Sequence, residues 1–500
     1  MGYLAITIWT IIIGFLLLCL LFLLGVAFEF LLPSKYDHDR DLAEAKEALK
    51  DLHEIRADRR TRPVIIQILV LGDIGRSPRM QYHARSIAKH GGIVYLVGYL
   101  ESPLHPNLVG NPRVILCPLT PFPGVFRSIP FMVAGPLKVI WQACTAGHAL
   151  LYRTPACKFL LVQNPPTIPT LAVTMLVSVL RRTWTVIDWH NYGWSILAGT
   201  KGANHPFVKL AKAHESMAGA SESLFHITVT EAMKKDLQRA PYNIPERLIF
   251  TLHDRPADLF QPTLLQPGEG TPEDEARAKK QFLERIPVLR HYAPGICDGS
   301  VKLIVSSTSW TPDEDFSLLL DALVTYAEDP DHPPTIAVIT GKGPQKAHYE
   351  ALISDLDHGG RLPGVTVLTL WLASLEDYGR LLACADLGVC LHKSSSGVDL
   401  PMKVVDMFGA GLPVVAYSGY ESFGELVREG FNGCGFETSD ELAATLLRLL
   451  GQGGGVHELA RLKQGALEES RRRWDSEWDS VLGPNFGLTK RRAGRRAGGL

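Results

Sequence analysis

Residues 64–80 read VIIQILVLGDIGRSPRM, an almost unbroken apolar run, a glycine-bracketed turn, and a helix opened by Ser77-Pro78. An apolar run of this length bounded by Gly and Asp is a strand buried on both faces, the habit of a parallel sheet. Gly72 and Gly75 allow a tight turn, and amides at a helix start form a nest for an anion, to which Arg76 and Arg79 add charge. The spacing is not GxGxxG, so the dinucleotide fingerprint is absent.

Working outward, the pattern repeats. Further strands are expected near 93–98, 113–117, 158–163, 184–189 and 225–229, with helices between them at 79–90, 131–152, 167–181, 206–222 and 231–239. After a polar, Pro/Gly-containing stretch, the alternation resumes with strands near 301–306, 335–340, 365–369, 387–391 and 413–416. The fold class is therefore α/β, two doubly wound Rossmann-like halves facing a cleft. The divisions are 63–255 for the first half, 256–298 for a linker or insertion, and 299–465 for the second half. Residues 466–500 form a terminal helix, crossing back to the first half, and a disordered basic tail. Residues 131–152 and 168–180 are apolar enough to be read either as core helices or as contacts with a bilayer surface, and both readings stay open.

Composition narrows the class. Of 500 residues, 46% are hydrophobic and 21% charged, which excludes a disordered chain; a net charge of −1 excludes a global basic field for nucleic acid. Eight cysteines without a Cys-x-x-Cys pair read as reduced thiols. From Tyr3 to Phe28 no residue is charged, a run long enough for a transmembrane anchor over 1–33. Lys35, Arg40, Lys46, Lys50 and four arginines at 56–62 follow it, on a helical stalk over 34–62. The positive-inside rule places that side in the cytosol.

Ligands of such sheets bind beyond the carboxyl ends of the strands. At one end stands DWHNYGWS (188–195), whose Trp189 and Tyr192 would stack on sugar faces while Asp188 orients His190. In the second half, Gly341 and Gly343 form a turn after a strand. Farther on, Ser394, Ser395, Ser396 and Gly397 precede a helix carrying Lys403 and Asp406. Amides and a lysine at a helix start suit a diphosphate, and Asp406 suits the two hydroxyls of a ribose. Asp313-Glu314-Asp315 reads as an acidic helix start, not a metal site, and no tightly bound metal is expected.

These motifs carry a resemblance. The second half is similar to the donor domain of GT-B glycosyltransferases, with its GxGP turn, acidic helix and G-x-PVVA strand. More closely, GDIGRSPRMQYHA (72–84), QNPP (163–166), DWHNYGWS, SSTSWTPDEDF (306–316) and SSSGVDLPMKVVDMFG (394–409) resemble the chitobiosyldiphosphodolichol beta-mannosyltransferase family. The resemblance implies an inverting transfer of mannose from GDP-mannose to the chitobiose of a dolichol diphosphate. It also implies a place on the cytosolic face of the endoplasmic reticulum membrane and no tightly bound cofactor, with other mannosyltransferases of the pathway as neighbours. Two departures stand out: Asp399 and Asp406 are one residue closer than the general pattern, and Ser309-Trp310-Thr311 replaces the usual Arg and Lys after the first donor strand.

The expected base is His190, with Asp399 and Asp73 as alternatives. The donor would meet Gly341, Gly343, Ser394–Gly397, Lys403 and Asp406; the acceptor would meet Gly72, Gly75, Arg76, Arg79, Trp189 and Tyr192. Two other readings remain: another GDP-mannose-dependent enzyme of the same lipid pathway, and a non-catalytic membrane scaffold of glycosyltransferase shape.

Overall fold

A computed structural model describes residues 63–219, 224–265, 270–311, 314–451 and 454–490. The anchor and stalk expected over 1–62 and the basic end beyond 490 lie outside the described residues. No helix among the described residues is long and apolar enough to cross a membrane.

The first half is a seven-stranded sheet of β1 (Ile65–Asp73), β2 (Ile93–Tyr99), β3 (Val114–Pro118), β4 (Phe159–Asn164), β5 (Trp184–Trp189), β6 (Leu224–Thr228) and β7 (Ile249–Thr251). Its order is β3-β2-β1-β4-β5-β6-β7, and every pairing is parallel. The second half contains β8 (Lys302–Ser307), β9 (Thr335–Thr340), β10 (Val365–Leu370), β11 (Leu387–Cys390), β12 (Val414–Tyr417) and β13 (Gly433–Phe436), in the order β10-β9-β8-β11-β12-β13. Strand order reverses beside β1 and again beside β8, and in such sheets the crevice lies at that reversal. The loops after β1, β4, β5, β8 and β11 are thereby the ones positioned for chemistry. β7 and β13 were not expected; one has three residues and the other reads GCGF, so neither shows a long β-branched run.

Residues 272–298 are not a linker. Pro272–Arg285, opened by a Thr271–Asp274 capping box, and Ala293–Asp298 are helices. Their Phe282, Leu283, Ile286, Leu289 and Ile296 pack into the second core with Leu303 and Val305. The polar stretch around 266–280 masks these apolar positions in the sequence. The true crossing is shorter and buried. Along it, His253 meets Glu425 at 3.1 Å, Asp254 meets Arg79 at 2.7 Å, and Arg255 meets Glu477 at 3.3 Å.

The chain then returns, as the sequence suggested. Helix Gly454–Ser470 packs on the second half, but Trp474–Val481 seals the first. Trp474 donates its indole N–H to Ser86 Oγ at 3.0 Å, and Trp478 donates to His83 Nδ1 at 3.1 Å. Around the two buried indoles, Asp475 pairs with Lys89 and Asp479 with His90.

Trp478→Ala is expected to cost ~3–5 kcal/mol, the usual loss for a fully buried aromatic, and to leave His83 without its donor. Trp478→Phe should cost less. Denaturant unfolding of the two variants checks this; an unchanged midpoint for the alanine variant would show that the terminal helix is not part of the first core.

Candidate active site

The Asp188 carboxylate, at the end of β5, is completely buried. It accepts bonds from Arg79 Nε at 2.9 Å, His83 Nε2 at 3.1 Å and His190 Nε2 at 2.9 Å. Burial opposes its ionisation, but Arg79, then His190 and His83, hold it well below the ordinary carboxylate range. Because the Trp478 N–H occupies His83 Nδ1, the proton of His83 sits on Nε2, facing Asp188. Burial keeps that imidazole neutral. His190 is the member that reaches solvent, with about a quarter of its side chain exposed. Donating Nε2–H to Asp188 leaves its Nδ1 as the nitrogen able to take a proton.

The neighbouring loop is built around another buried acid. Glu215, from helix Pro206–Gly219, accepts from Asn164 Nδ2 at 3.2 Å, Thr167 Oγ1 at 2.9 Å and the Trp194 amide at 3.3 Å. It thus joins the QNPP loop to the start of helix Gly193–Lys201. The Asn164 carbonyl in turn receives the His190 amide at 2.9 Å.

The two halves meet beside His190. Asn191 Nδ2 donates to Asp399 Oδ2 at 3.1 Å and to Ser395 Oγ at 3.2 Å, while Ser195 Oγ lies 3.2 Å from Ser395 Oγ. Asp399 also accepts from His392 and from the Ser394 hydroxyl. Ser394 Oγ receives the Gly397 amide, and Gly397, at φ +79°, makes the turn that closes this loop. Thr230 Oγ1 donates to the Val398 carbonyl, and Glu425 of the second half accepts the amides of Glu231 and Ala232, the orphan donors of a first-half helix.

On the donor side, the glycines have a steric cause. A Cβ on Gly341 would lie 1.7 Å from the Thr308 carbonyl oxygen, and one on Gly343 1.8 Å from that of Ser309. Only glycine lets the turn after β9 lie against the loop after β8. Within that loop, Glu314 binds Thr308 Oγ1, the Ser309 amide and Lys403 Nζ. Asp315 pairs with Lys393 at 3.1 Å. Glu314 and Asp315 are therefore struts between two loops more than a helix start, although Asp315 does accept from Ser317 Oγ at 2.5 Å; Asp313 lies outside the described residues. Asp406 lies near Tyr82, Tyr378 and Asp254; burial, then the Asp254 charge, push its carboxyl well up. No cation pairs with it among the described residues.

Several expected ligands have other tasks. Arg79 is not open to an anion: it is 3% exposed and committed to Asp188 and Asp254. Trp189 and Tyr192 are core residues, not a sugar platform. Trp189 donates to His226 at 3.0 Å and Tyr192 to Asp236 at 2.7 Å, and both rings stack or edge against Tyr242. Asp73 is a poor base, since its Oδ1 accepts the amides of Gly75, Glu101 and Ser102. Gly75 lies against the Ser102 carbonyl, where a Cβ would come within 2.5 Å; Gly72 has no such neighbour. Arg76 stays largely exposed. His83 and Glu215 were not among the expected site residues, and Asn191 was expected only as a member of the DWHNYGWS cluster. His83 stands four residues after Arg79, on one helix face, and that spacing was a readable signal. Among the described residues no group of His, Cys, Asp and Glu could hold a metal ion.

Burial raises the Glu215 carboxyl from its ordinary 4.5 to about 7, against the bonds from Thr167 and Asn164. A raised folded-state pKa on an acid means that the native state favours the protonated form. The stability this contributes is full below pH 4.5 and is lost as pH rises through about 7, on the order of 3 kcal/mol in all. Chemical denaturation across pH 4.5–8 should show this slope, and Glu215→Gln should flatten it. An identical slope in the variant would rule out Glu215 as its source.

Known proteins place this geometry. Residues 300–452 match the family model described as glycosyl transferases group 1. A chitobiosyldiphosphodolichol beta-mannosyltransferase of Arthroderma benhamiae is 45% identical, covering 78% of this chain and 85% of its own. The protein of the same name from Homo sapiens is 39% identical over 86% and 93%. An Arabidopsis thaliana relative, 39% identical over 83% and 96%, is called UDP-glycosyltransferase TURAN. Among solved structures, sucrose-phosphate synthase from Thermosynechococcus elongatus shares the fold, with a TM-score of 0.58 at 14% identity over 83% and 96% of the two chains. With two parallel sheets facing across the 188–195 and 394–399 loops, the chain has the GT-B fold and belongs to the chitobiosyldiphosphodolichol beta-mannosyltransferase family.

Proposed function

We propose that the chain transfers mannose from GDP-mannose to the chitobiose of a dolichol diphosphate, forming a beta-1,4 bond with inversion. The observation that carries the mechanism is His190, held by Asp188 at 2.9 Å, next to Asn191, which reaches Asp399 of the donor half. In this reading Nδ1 of His190 takes the proton of the acceptor hydroxyl as its oxygen attacks the anomeric carbon. The bond from that carbon to the diphosphate breaks, and GDP leaves with the electron pair. Attack from the face opposite GDP inverts the centre in one step.

Asp406, with no cation partner among the described residues, is the carboxylate for the ribose hydroxyls. Lys403 and the 394–397 loop would meet the diphosphate, with Lys403 exchanging its Glu314 contact for the phosphate charge. Asp399 orients the sugar from beside His392 and Asn191. The apolar run 3–28 and the cations after it support a single-pass anchor in the endoplasmic reticulum membrane, with both halves in the cytosol. The printed name of the Arabidopsis relative keeps a uridine-diphosphate sugar as the second donor to test.

Full-length protein should convert GDP-mannose and lipid-diphosphate chitobiose to a beta-1,4 product and leave a UDP-sugar untouched; preference for the UDP-sugar, or an alpha linkage, would overturn the reading. His190→Ala should lower turnover by ~10²–10⁴-fold, the usual contribution of a general base, while GDP-mannose affinity and melting temperature hold. Full turnover in a folded variant would move the base elsewhere. Asp406→Ala should weaken GDP binding by ~1–3 kcal/mol, the cost of an unpaired polar partner, and titration calorimetry measures it directly.

A further inference from the structure

Helix Thr170–Arg181 reads TLAVTMLVSVLR and is apolar on nearly every side. Leu171, Val173 and Val177 face the core. Met175, Leu176, Val179 and Leu180 stand in the open, with Val179 77% exposed. A helix apolar all round is normally buried, so something is expected to cover this face. Beside it pack helix Phe131–His148, which exposes Met132 and Ile140, and helix Pro206–Gly219, which exposes Phe207, Leu210 and Met217. Sixteen of the twenty-one large apolar side chains exposed among the described residues belong to the first half, fifteen of them between 125 and 217. That clustering on adjoining helices separates the face from the single exposed apolar residues common on any protein.

Charge identifies the occupant. From residue 102 to residue 214 the chain carries ten Lys and Arg but one acid, Asp188, and Asp188 is buried. Elsewhere acids outnumber bases, 51 to 41, so that the whole chain nets −1. Protein interfaces are depleted in lysine, whereas an apolar face with an all-cationic border matches a leaflet containing anionic lipid. Trp184 and Tyr152, 44% and 80% exposed, are of the residue types that settle at such an interface. We propose that this face of the first half lies on an anionic bilayer surface. Helix Thr170–Arg181 follows directly on the QNPP loop, whose Asn164 holds the His190 amide. Contact there brings His190 to the leaflet in which a lipid-linked acceptor resides. That last consequence rests on the proposed function; the lipid contact itself does not.

The test uses full-length protein in phosphatidylcholine vesicles with or without about 30 mol% phosphatidylserine, a leaflet charge high enough for electrostatic attraction to register. A fluorescent amino acid in place of Leu176 or Leu210, with Leu352 of the second half as comparison, reports quenching by lipids spin-labelled near the carbonyls. Quenching is expected at 176 and 210, stronger with phosphatidylserine, and not at 352. In parallel, the double variant Leu176→Ser, Val179→Ser should raise the KM for bilayer-embedded acceptor about tenfold, in line with lost interfacial area. It should leave kcat, the KM for a short-chain soluble acceptor and the melting temperature unchanged. Quenching at 176 and 210 no greater than at 352 would overturn the proposal, as would a crosslink from position 176 to a second polypeptide in place of lipid. An inactive protein that is still quenched would fault the proposed reaction and leave the membrane face standing.

Discussion

A buried carboxylate with three donors organises the first half. Asp188 has no access to water, and an ionised carboxylate in such a place is costly unless charge and hydrogen bonds compensate it. Arg79 supplies the charge, and His83 and His190 supply the remaining bonds. The partners tie distant parts of the chain together. Arg79 and His83 come from the helix after β1, and Arg79 extends the network to Asp254 on the crossing between halves. His83 extends it to Trp478 of the returning terminal helix. A proton acceptor oriented at the cleft is thus supported from residues nearly three hundred positions away in sequence.

The second half answers with contacts that are polar, small and numerous. Asn191 to Asp399, Thr230 to Val398, and Glu425 to the amides of 231 and 232 all cross the cleft, and none involves a large apolar surface. Interfaces of this kind can open and reclose at modest cost, which a two-substrate enzyme requires. The apolar exceptions are Val398, buried in the first core, and Tyr82, which touches both cores and lies near Asp406, the residue proposed for the nucleotide.

The layout of the two sheets was legible because buried parallel strands advertise themselves as apolar runs between glycines and acids. Eleven strands stood out on that basis; β7 and β13 did not, being too short to show a pattern. Residues 272–298 misled because their apolar positions are diluted among charges, and only the packed core shows that they belong to it. In the site, spacing located the right loops but not the duties within them. Trp189 and Tyr192 sit in a motif rich in aromatic and polar types, which fits a sugar site and a hydrogen-bonded core equally well. Arg79 looked like an anion ligand because its true partners, Asp188 and Asp254, lie 109 and 175 residues away. Long-range pairing of this kind leaves no local trace.

Glu314 shows the same limit and also a consequence for donor binding. The loop after β8 carries Ser309, Trp310 and Thr311 where the resemblance implies Arg and Lys, and an acid occupies the junction with Lys403. Glu314 is 3% exposed and already bound by Thr308 Oγ1 and the Ser309 amide, so it stays placed whether or not Lys403 stays with it. Lys403 is thus held in place before any ligand arrives, its side-chain entropy already spent. A diphosphate that draws the ammonium away leaves Glu314 with its neutral donors, a smaller loss than exposing a bare buried charge. If Lys403 meets the diphosphate as proposed, its pre-positioning by a buried acid would stand in for the two cations absent from the loop after β8.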